Sequence, residues 1–224
     1  EVITAIIIFN KYYTIKSFWP LKIYSLETIN KSDTDLSTLQ FYFEKGDYPQ
    51  ALNGDTLKIP VGKKPDGSDS SIISVAEKNL KEINSIYPYT ESANLSYYYT
   101  AISQMNLGYE LDSSEYFEEA LLSLEEFETD DKIIASLVTG LKGDANMELG
   151  NMEKSISFYK SAATDYVNNF TTPYFMMKQA HIHEINKDFS SALEIYETIK
   201  ADYPESEQGK NIDKYITSAS ISNR

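Results

Sequence analysis

The sequence predicts an all-α fold, an α-solenoid of about four helical hairpins closed by a C-terminal capping helix. A short phrase recurs at residues 42–51, 147–155 and 185–192, and each copy joins the end of one amphipathic segment to the start of another. Apolar side chains around these copies follow the three- and four-residue spacing of one helix face. Because each hairpin can bury its apolar face only against a neighbour, such repeats stack into one continuous array, which is predicted here over residues 34–218.

The first 33 residues precede the repeats and are basic and aromatic. An apolar run over residues 2–9 is too short to span a bilayer, which needs about 20 residues. Two interpretations stay open: this run is the exit end of a membrane helix that begins upstream, or it is a helix or strand packed on the array. Pro20 breaks any long helix, and residues 30–33 predict a loop with helix-capping side chains. The residues after the apolar run that suit a membrane interface are Lys11, Tyr12, Tyr13, Lys16, Phe18 and Trp19.

The first hairpin, residues 34–88, is predicted to contain a long insertion. Its first helix ends at Gly46, which can adopt the left-handed conformation that stops a helix. Residues 52–70 are rich in Gly, Asp, Ser and Lys and predict a polar loop. Helical spacing resumes at Ser71 and ends before Pro88, so the second helix of this hairpin is displaced along the chain.

The remaining repeats are predicted to be three hairpins, a cap and a short tail. The first of these hairpins turns at Leu107-Gly108 and carries a second insertion that ends at Ser114. The predicted bounds are 93–128, 132–165 and 172–204 for the hairpins, 206–218 for the cap and 219–224 for the tail.

Small residues in the second helix of each hairpin indicate the repeat interval. Ala120, Ser155 and Ala192 stand 35 and 37 residues apart, an interval typical of helical solenoids. Small side chains let two helices approach closely, so we assign these positions to packing and exclude them from any binding site. The other predicted packing residues are Ala101, Gly143, Ala180, Phe117, Met152 and Phe189.

Composition restricts the chemistry and the partners. The chain contains no cysteine, which excludes disulfides, thiolate metal sites and cysteine nucleophiles. The net charge is −14, and residues 91–150 hold thirteen acidic groups against two lysines. Such a field repels nucleic acid and anionic lipid, and it favours a basic or neutral partner if it serves more than solubility.

The stretches 149–162 and 188–204 resemble the tetratricopeptide repeat family, and the resemblance extends over about residues 34–218. It implies a right-handed α-solenoid in which the first helices of successive hairpins line a concave groove. The first two hairpins depart from the family pattern because each carries an insertion. The order of parts is similar to bacterial membrane-anchored periplasmic proteins of this family. That similarity implies chaperone-like or scaffolding work at the periplasmic side of the inner membrane, with a cytoplasmic location as the alternative.

The groove implied by the resemblance would be aromatic and rich in methionine, with an acidic edge. Such a surface suits an extended or helical peptide, because tyrosines supply rigid contact area and methionines adapt to it. The alternative is that several of these side chains are buried against neighbouring helices, as apolar stripes usually are. The groove lacks the lysine and asparagine pairs that grip a C-terminal carboxylate in some family members. The candidate partner-binding residues are Tyr98, Ile102, Met105, Asn106, Gly140, Asp144, Met147, Glu148, Tyr174, Met177, His181 and Glu184.

No local pattern predicts catalysis, a metal or a cofactor. His181 and His183 point to different faces of one helix and would not converge on a metal. Residues 66–70 lack the ligand spacing of a helix-loop-helix calcium site, and residues 62–64 lack that of a phosphate-binding loop.

We therefore expect a non-enzymatic scaffold that binds a protein or peptide, with no nucleic acid, small-molecule substrate or cofactor. The N-terminal segment would supply any contact with the membrane. The main alternative is a constitutive structural subunit of a larger membrane-associated complex, docked through residues 1–31. An enzyme with its site in the insertions at 52–70 or 108–115 is the third alternative, and those insertions contain no reactive constellation.

Overall fold

The structure, a computed structural model, describes residues 26–53, 56–63, 69–76 and 80–223. Helices dominate these residues, which confirms the all-α class with one exception, a two-stranded hairpin. The elements in chain order are α1 Leu26–Glu44, α2 Tyr48–Asn53, β1 Thr56–Lys63, β2 Asp69–Ala76, α3 Leu80–Ile86, α4 Glu91–Leu111, α5 Ser114–Glu126, α6 Lys132–Glu148, α7 Met152–Thr164, α8 Thr171–Ile185, α9 Phe189–Asp202, α10 Glu207–Lys210 and α11 Ile212–Ser222.

The chain divides into two compact units, Glu1–Ser103 and Gln104–Arg224, and the boundary falls inside α4. The expectations for residues 1–25, including the apolar run and the basic aromatic stretch, lie outside the described residues. Within the described residues, no helix combines the length and the apolar character that crossing a membrane requires.

In the first unit, α1 runs without a break through residues 30–33, so the predicted loop there is wrong. The capping-type side chains find partners elsewhere in the unit instead of ending a helix. Asp33 accepts a hydrogen bond from the Ser92 hydroxyl, and Asp35 accepts one from the Tyr87 hydroxyl at 2.6 Å. Because these carboxylates are satisfied by α4 and the turn before it, the backbone of α1 continues as a helix.

The insertion of the first unit contains an antiparallel β-hairpin, which corrects two predictions. Strand β1 occupies residues predicted to be a polar loop, and β2 occupies residues predicted to begin a helix. The strands pair with Ile59 opposite Ile73, and the register shifts between Pro60 and Lys63. Residues 71–76 form a short apolar run that fits both periods, and its β-branched residues favour a strand. The helix that follows is shorter than predicted and covers only Leu80–Ile86.

In the second unit, the helices pack mostly on their neighbours in the chain. Helix α6 packs against α5 and α7, α8 packs against α7 and α9, and α11 packs against α9. Helix α6 also contacts α8. The first and second units contain the same kind of short connection, since Gly46 and Gly150 both have a φ of +74°.

Two of the turns in the second unit end their helices in the same way. Gly150 N–H donates to Met147 C=O at 2.9 Å, and the next N–H reaches the carbonyl five residues back at 2.8 Å. Lys187 makes the equivalent bond to Glu184 at 2.9 Å although it is not a glycine, with a φ of +62°. These paired bonds satisfy the last carbonyls of α6 and α8, so the recurring phrase encodes a helix stop.

The turn predicted at Leu107-Gly108 is wrong, because α4 continues to Leu111. The turn falls at Asp112, which has a φ of +50°. Gly108 has a packing role instead: a Cβ atom there would lie 2.7 Å from the Phe117 ring. The glycine lets α4 and α5 approach closely, and the predicted second insertion shrinks to a two-residue connection.

The small residues assigned to packing lie in the core. Ala120, Ser155 and Ala192 are all 0 % exposed. A Cβ atom on Gly143 would lie 2.6 Å from the ring of Tyr159, so this glycine also marks a close helix contact. These positions are packing residues, as the sequence indicates.

Candidate functional site

Two helices of the second unit each present a pair of side chains one turn apart. Asp144 and Glu148 lie on one face of α6, and Tyr174 and Lys178 lie on one face of α8. The Lys178 Nζ atom lies 2.5 Å from Asp144 Oδ1, which joins the two pairs. Asp144 also accepts a hydrogen bond from the hydroxyl of Tyr159 on α7. One carboxylate therefore connects three consecutive helices.

The Lys178 ammonium is held by aromatic rings as well as by this carboxylate. It lies 5.4 Å from the centroid of the Tyr159 ring and 5.3 Å from that of the Tyr174 ring, within the range of cation–π attraction. Burial acts to lower the pKa of Lys178, but the Asp144 carboxylate outweighs it and the pKa is raised. Burial and the bonded Asp144 carboxylate also raise the pKa of Tyr159.

Tyr109, near the end of α4, belongs to the same region and was missed by the sequence analysis. Its side chain is 51 % exposed, and its ring packs edge-on against Phe117 with centroids 5.0 Å apart. Burial, then the charges of Asp144 and Glu148 and the neighbouring Tyr174, raises the pKa of Tyr109 to about 12. A signal was present, because Tyr109 follows the predicted Met105 by one helical turn.

Lys178 links Asp144 to Tyr174, and the charges of Asp144 and Glu148 act on Tyr109. We call these five residues the tyrosine-carboxylate surface. Its two tyrosines are half-exposed, Glu148 is exposed, and the Asp144–Lys178 pair is partly buried between the helices. Exposed aromatic rings and charges suit binding. In the described ranges, no three His, Cys, Asp or Glu side chains are placed to hold a metal ion. The members are Tyr109, Asp144, Glu148, Tyr174 and Lys178.

A second group lies further along α8. His181 has ring contacts to Tyr196 at 6.4 Å and Tyr215 at 5.5 Å, so α8, α9 and α11 meet there. Burial and the Glu184 carboxylate raise the pKa of Tyr196. His183 has a different neighbour, since its Nδ1 atom lies 3.1 Å from an Asp188 carboxylate oxygen. The two imidazoles therefore have different neighbours.

Three of the proposed groove residues are packing residues, which corrects the prediction. Met105 is 4 % exposed in a core cluster with Phe117, and Met177 is 9 % exposed in a cluster with Tyr196. Gly140 is buried against Phe175. Their apolar or small side chains fit equally well on a groove stripe and on a helix-packing stripe, and the second unit uses them for packing.

Four more of the predicted residues are partly buried. Met147 packs against the core cluster of Tyr159 and is half-buried, as is Asn106. Tyr98 and Ile102 belong to the first unit and are also half-buried. Burial and the adjacent Tyr99 raise the pKa of Tyr98. Of the original set, the structure brings Asp144 and Tyr174 together through Lys178.

A shallow groove lies on another side of α8, between α7 and α9. Its volume is about 730 Å³, and the residues that line it include Met176 and His183. Acidic, basic and apolar side chains all contribute to the lining, including Lys160, Glu194 and Ile195. It therefore offers no concentrated chemistry of the kind found on the tyrosine-carboxylate surface.

In comparisons with known proteins, the chain matches no family model, no curated protein and no solved structure.

Proposed function

We propose that this protein is a non-enzymatic tetratricopeptide-type scaffold that binds a protein or peptide partner. The observation that carries the proposal is the tyrosine-carboxylate surface. Its members come from α4, α6 and α8, the helices that precede each short turn of the second unit. In the solenoid that the sequence resembles, those helices line the concave groove.

The packing of the second unit supports this arrangement. Gly143 lies at the contact between α6 and α7, and Gly140 lies at the contact between α6 and α8. Close contacts of both kinds hold successive helix pairs in register, as a solenoid requires. The small residues serve packing, and we assign partner binding to the larger polar and aromatic side chains of α4, α6 and α8.

The chemistry of the surface fits binding better than catalysis. Tyrosine rings lose little conformational entropy when they bind and give both apolar area and a hydroxyl group. The Asp144–Lys178 pair holds α6 against α8, and Lys178 also contacts the Tyr174 ring, so the Tyr174 side chain is preorganised for binding. The proposed location at the bacterial cell envelope rests on the sequence resemblance and on residues 1–31, and it is a separate proposal.

Site-specific photocrosslinking tests the binding function. A benzoylphenylalanine residue replaces Tyr174 in the full chain, and a control carries it at Ile221, which is 63 % exposed on α11. We expect one defined protein to crosslink at position 174 in cells and not at position 221. Equal labelling at both positions, or none at either in the intact protein, would contradict the proposal. A variant that lacks residues 1–31 is tested in parallel. This deletion would abolish the crosslink only if the protein acts as a subunit docked through that segment.

A further inference from the structure

The groove between α7 and α9, which we call the α7–α9 groove, lies on nearly the opposite face of α8 from the tyrosine-carboxylate surface. The α8 residues that line it recur every three or four positions along one helix face, and they are Thr172, Met176, Gln179 and His183. At 3.6 residues per turn, this face lies about 150° around the helix axis from the face that carries Tyr174 and Lys178. A ligand in the groove therefore meets different side chains from a ligand on that surface.

The α7–α9 groove is long enough for three turns of a helix. Its lining residues span 172–183 on α8 and 191–202 on α9. Eleven residue steps at about 1.5 Å per residue give a length of about 16 Å. A helical segment of this length presents three or four anchor side chains, the usual number when a helix lies in a groove.

Each of the three helices contributes an apolar side chain to the lining. These residues are Ile156, Met176 and Ile195, and all three are half-buried. Val167, just after α7, also lines the groove and is 63 % exposed. A ligand can therefore cover further apolar area here, and covering that area favours binding.

The threonines of the groove favour a helical ligand over an extended one. The Thr164 and Thr198 hydroxyls donate to the carbonyls of Lys160 and Glu194, both at 2.9 Å, so these hydroxyl protons are already used. Helical walls also lack the open backbone edge that pairs with an extended strand. An extended peptide would leave backbone groups without partners, whereas a helix satisfies its own.

The two walls of the groove carry opposite charges. Lys160 lines it from α7, while Glu194 and Asp202 line it from α9. All three are exposed, and none forms an ion pair within the described part of the chain. A helix with one basic and one acidic flank would pair with both walls. Because turning such a helix end for end exchanges its flanks, the charges also fix its direction.

We propose that the α7–α9 groove binds an amphipathic α-helix of a partner protein. This helix has an apolar face about three turns long, a basic flank against α9 and an acidic flank against α7. A partner is favoured over a second copy of the chain, because two copies with a net charge of −14 repel each other. The residues that carry the proposal all lie in the second unit.

A titration of the full chain followed by two-dimensional ¹H–¹⁵N NMR tests the proposal. The probe is a hydrocarbon-stapled helix of about 15 residues, about four turns, with leucines on one face, arginines along one flank and glutamates along the other. The control peptide has the same composition with both charges mixed on each flank. We expect saturable shifts of the Met176, Gln179 and Ile195 amide signals, with the control binding about three- to tenfold more weakly.

Three results of this titration would overturn the proposal. The first is equal affinity for the two peptides. The second is a larger shift at Tyr174 than in the groove. The third is a shift of the groove signals when the protein concentration alone is raised, which would assign the groove to a second copy of the chain.

The direction of the bound helix gives a second test. Asn168 N–H donates to the Thr172 hydroxyl at 3.0 Å, which places the neighbouring Val167 beside the start of α8. His183 lies near the other end of α8, where its Nδ1 atom is 3.1 Å from Asp188. A spin label on the peptide N-terminus should broaden signals at one of these ends, and a peptide with exchanged flanks should broaden those at the other. Broadening at the same end by both peptides would contradict the proposed pairing of flanks and walls.

Variants at exposed positions provide the third test. Val167→Asp should weaken binding of the probe about fivefold, because it removes apolar contact. The matched control is Ile221→Asp on α11, which has the same exposed fraction of 63 % and should change little. An equal effect of the two substitutions would reduce the binding to general apolar attraction and overturn the site.

Charge-neutral variants test the α9 wall. Glu194→Gln combined with Asp202→Asn should weaken binding about three- to tenfold, the range for two exposed ion pairs. Glu197→Gln removes an exposed charge of α9 outside the groove and should have little effect. Equal losses from both changes would contradict the pairing with α9.

This inference goes beyond the proposed function and can fail separately from it. If a partner is crosslinked at position 174 but the probe does not bind in the groove, the groove proposal is wrong and the scaffold function remains. If the probe binds in the groove but no partner is crosslinked at position 174, the function assigned to the tyrosine-carboxylate surface is wrong.

Discussion

Gly140→Ala separates helix propensity from packing, because the two predict opposite signs. Gly140 lies in the middle of α6, where alanine normally stabilises a helix by about 1 kcal/mol over glycine. In this fold, however, a Cβ atom at position 140 would lie 1.9 Å from one carbon of the Phe175 ring and 2.0 Å from another. Real Cβ atoms do not approach so closely, so α6 or the ring must move.

The surroundings decide which effect is larger. Phe175 is 2 % exposed, and its ring is stacked on the Tyr159 ring, with centroids 6.1 Å apart and an interplanar angle of 15°. Tyr159 is itself buried and hydrogen-bonded to Asp144, so displacing Phe175 disturbs a second buried ring. We therefore place the steric cost at about 3 kcal/mol, the upper part of the usual range for overpacked cores. After subtracting the propensity gain, Gly140→Ala should lower the free energy of unfolding by about 2 kcal/mol.

Thermal unfolding followed by circular dichroism gives the measurement. For a chain of this length, a loss of about 2 kcal/mol corresponds to a Tm lower by about 4–8 °C. The control is the same substitution in a Phe175→Leu background, where the clashing ring is absent. Phe175→Leu alone should cost about 1–2 kcal/mol, and adding Gly140→Ala to it should then be neutral or stabilising. A rise in Tm for Gly140→Ala alone would refute the close contact between α6 and α8. So would a double variant whose loss of stability equals the sum of the two single losses.

Three further predictions concern the ion pair, high pH and the turns. Asp144→Asn should lower the free energy of unfolding by about 2 kcal/mol, measured in urea, because it removes the charge that pairs with the partly buried Lys178; a Lys178→Met background should make the loss smaller. Stability should also fall as the pH rises from about 10 towards 12. The pKa of Tyr109 is raised to about 12 and that of Lys178 is also raised, so the folded chain holds these protons more tightly than the unfolded chain. In a series of urea titrations at different pH values, Tyr109→Phe should make the free energy of unfolding fall less steeply with pH. At the turns, Gly150→Ala should cost about 1 kcal/mol because the φ of +74° strains any side chain, whereas Lys187→Gly should be neutral or stabilising; equal signs for the two would contradict the left-handed geometry.

The helices of the second unit could be predicted because several local signals agree there. The phrase around Gly150 combines an apolar stripe, a residue that accepts positive φ and a following helix start, and the turn has those properties. The turn after α4 was misplaced because its left-handed residue is Asp112. Gly108, four residues earlier, has the stronger sequence signal, yet its lack of a side chain serves the contact with Phe117. Glycine serves both turns and close packing, and composition alone does not separate these uses.

The first unit was harder to predict for two physical reasons. Polar residues such as Asp33 look like helix caps, but here they bond to side chains far along the chain. Residues 71–76 satisfy both the helical and the strand period, and their pairing with residues 56–60 is a non-local interaction that a single stretch of sequence does not reveal.

The sequence predicts the charged residues of the candidate site better than the apolar ones. A charged residue such as Glu148 could be assigned to an accessible surface because a buried unpaired charge is too costly. Apolar residues such as Met105 and Met177 fit either a groove or a core, and both lie in the core. Lys178 was overlooked because its importance comes from the Asp144 carboxylate, which lies on a different helix.

The two carboxylates of α6, Asp144 and Glu148, have different roles in the tyrosine-carboxylate surface. Asp144 is partly buried and bonded to two helices, so its charge contributes mainly to the stability of the fold. Glu148 is exposed and contributes little to stability, since an exposed charge without an ion pair is well solvated. A residue of this kind can change without unfolding the protein, and recognition can therefore vary at Glu148 while Asp144 keeps α6 and α8 together. If this division is correct, Glu148→Gln should change the Tm by less than about 1 °C, whereas Asp144→Asn should lower the Tm by several degrees.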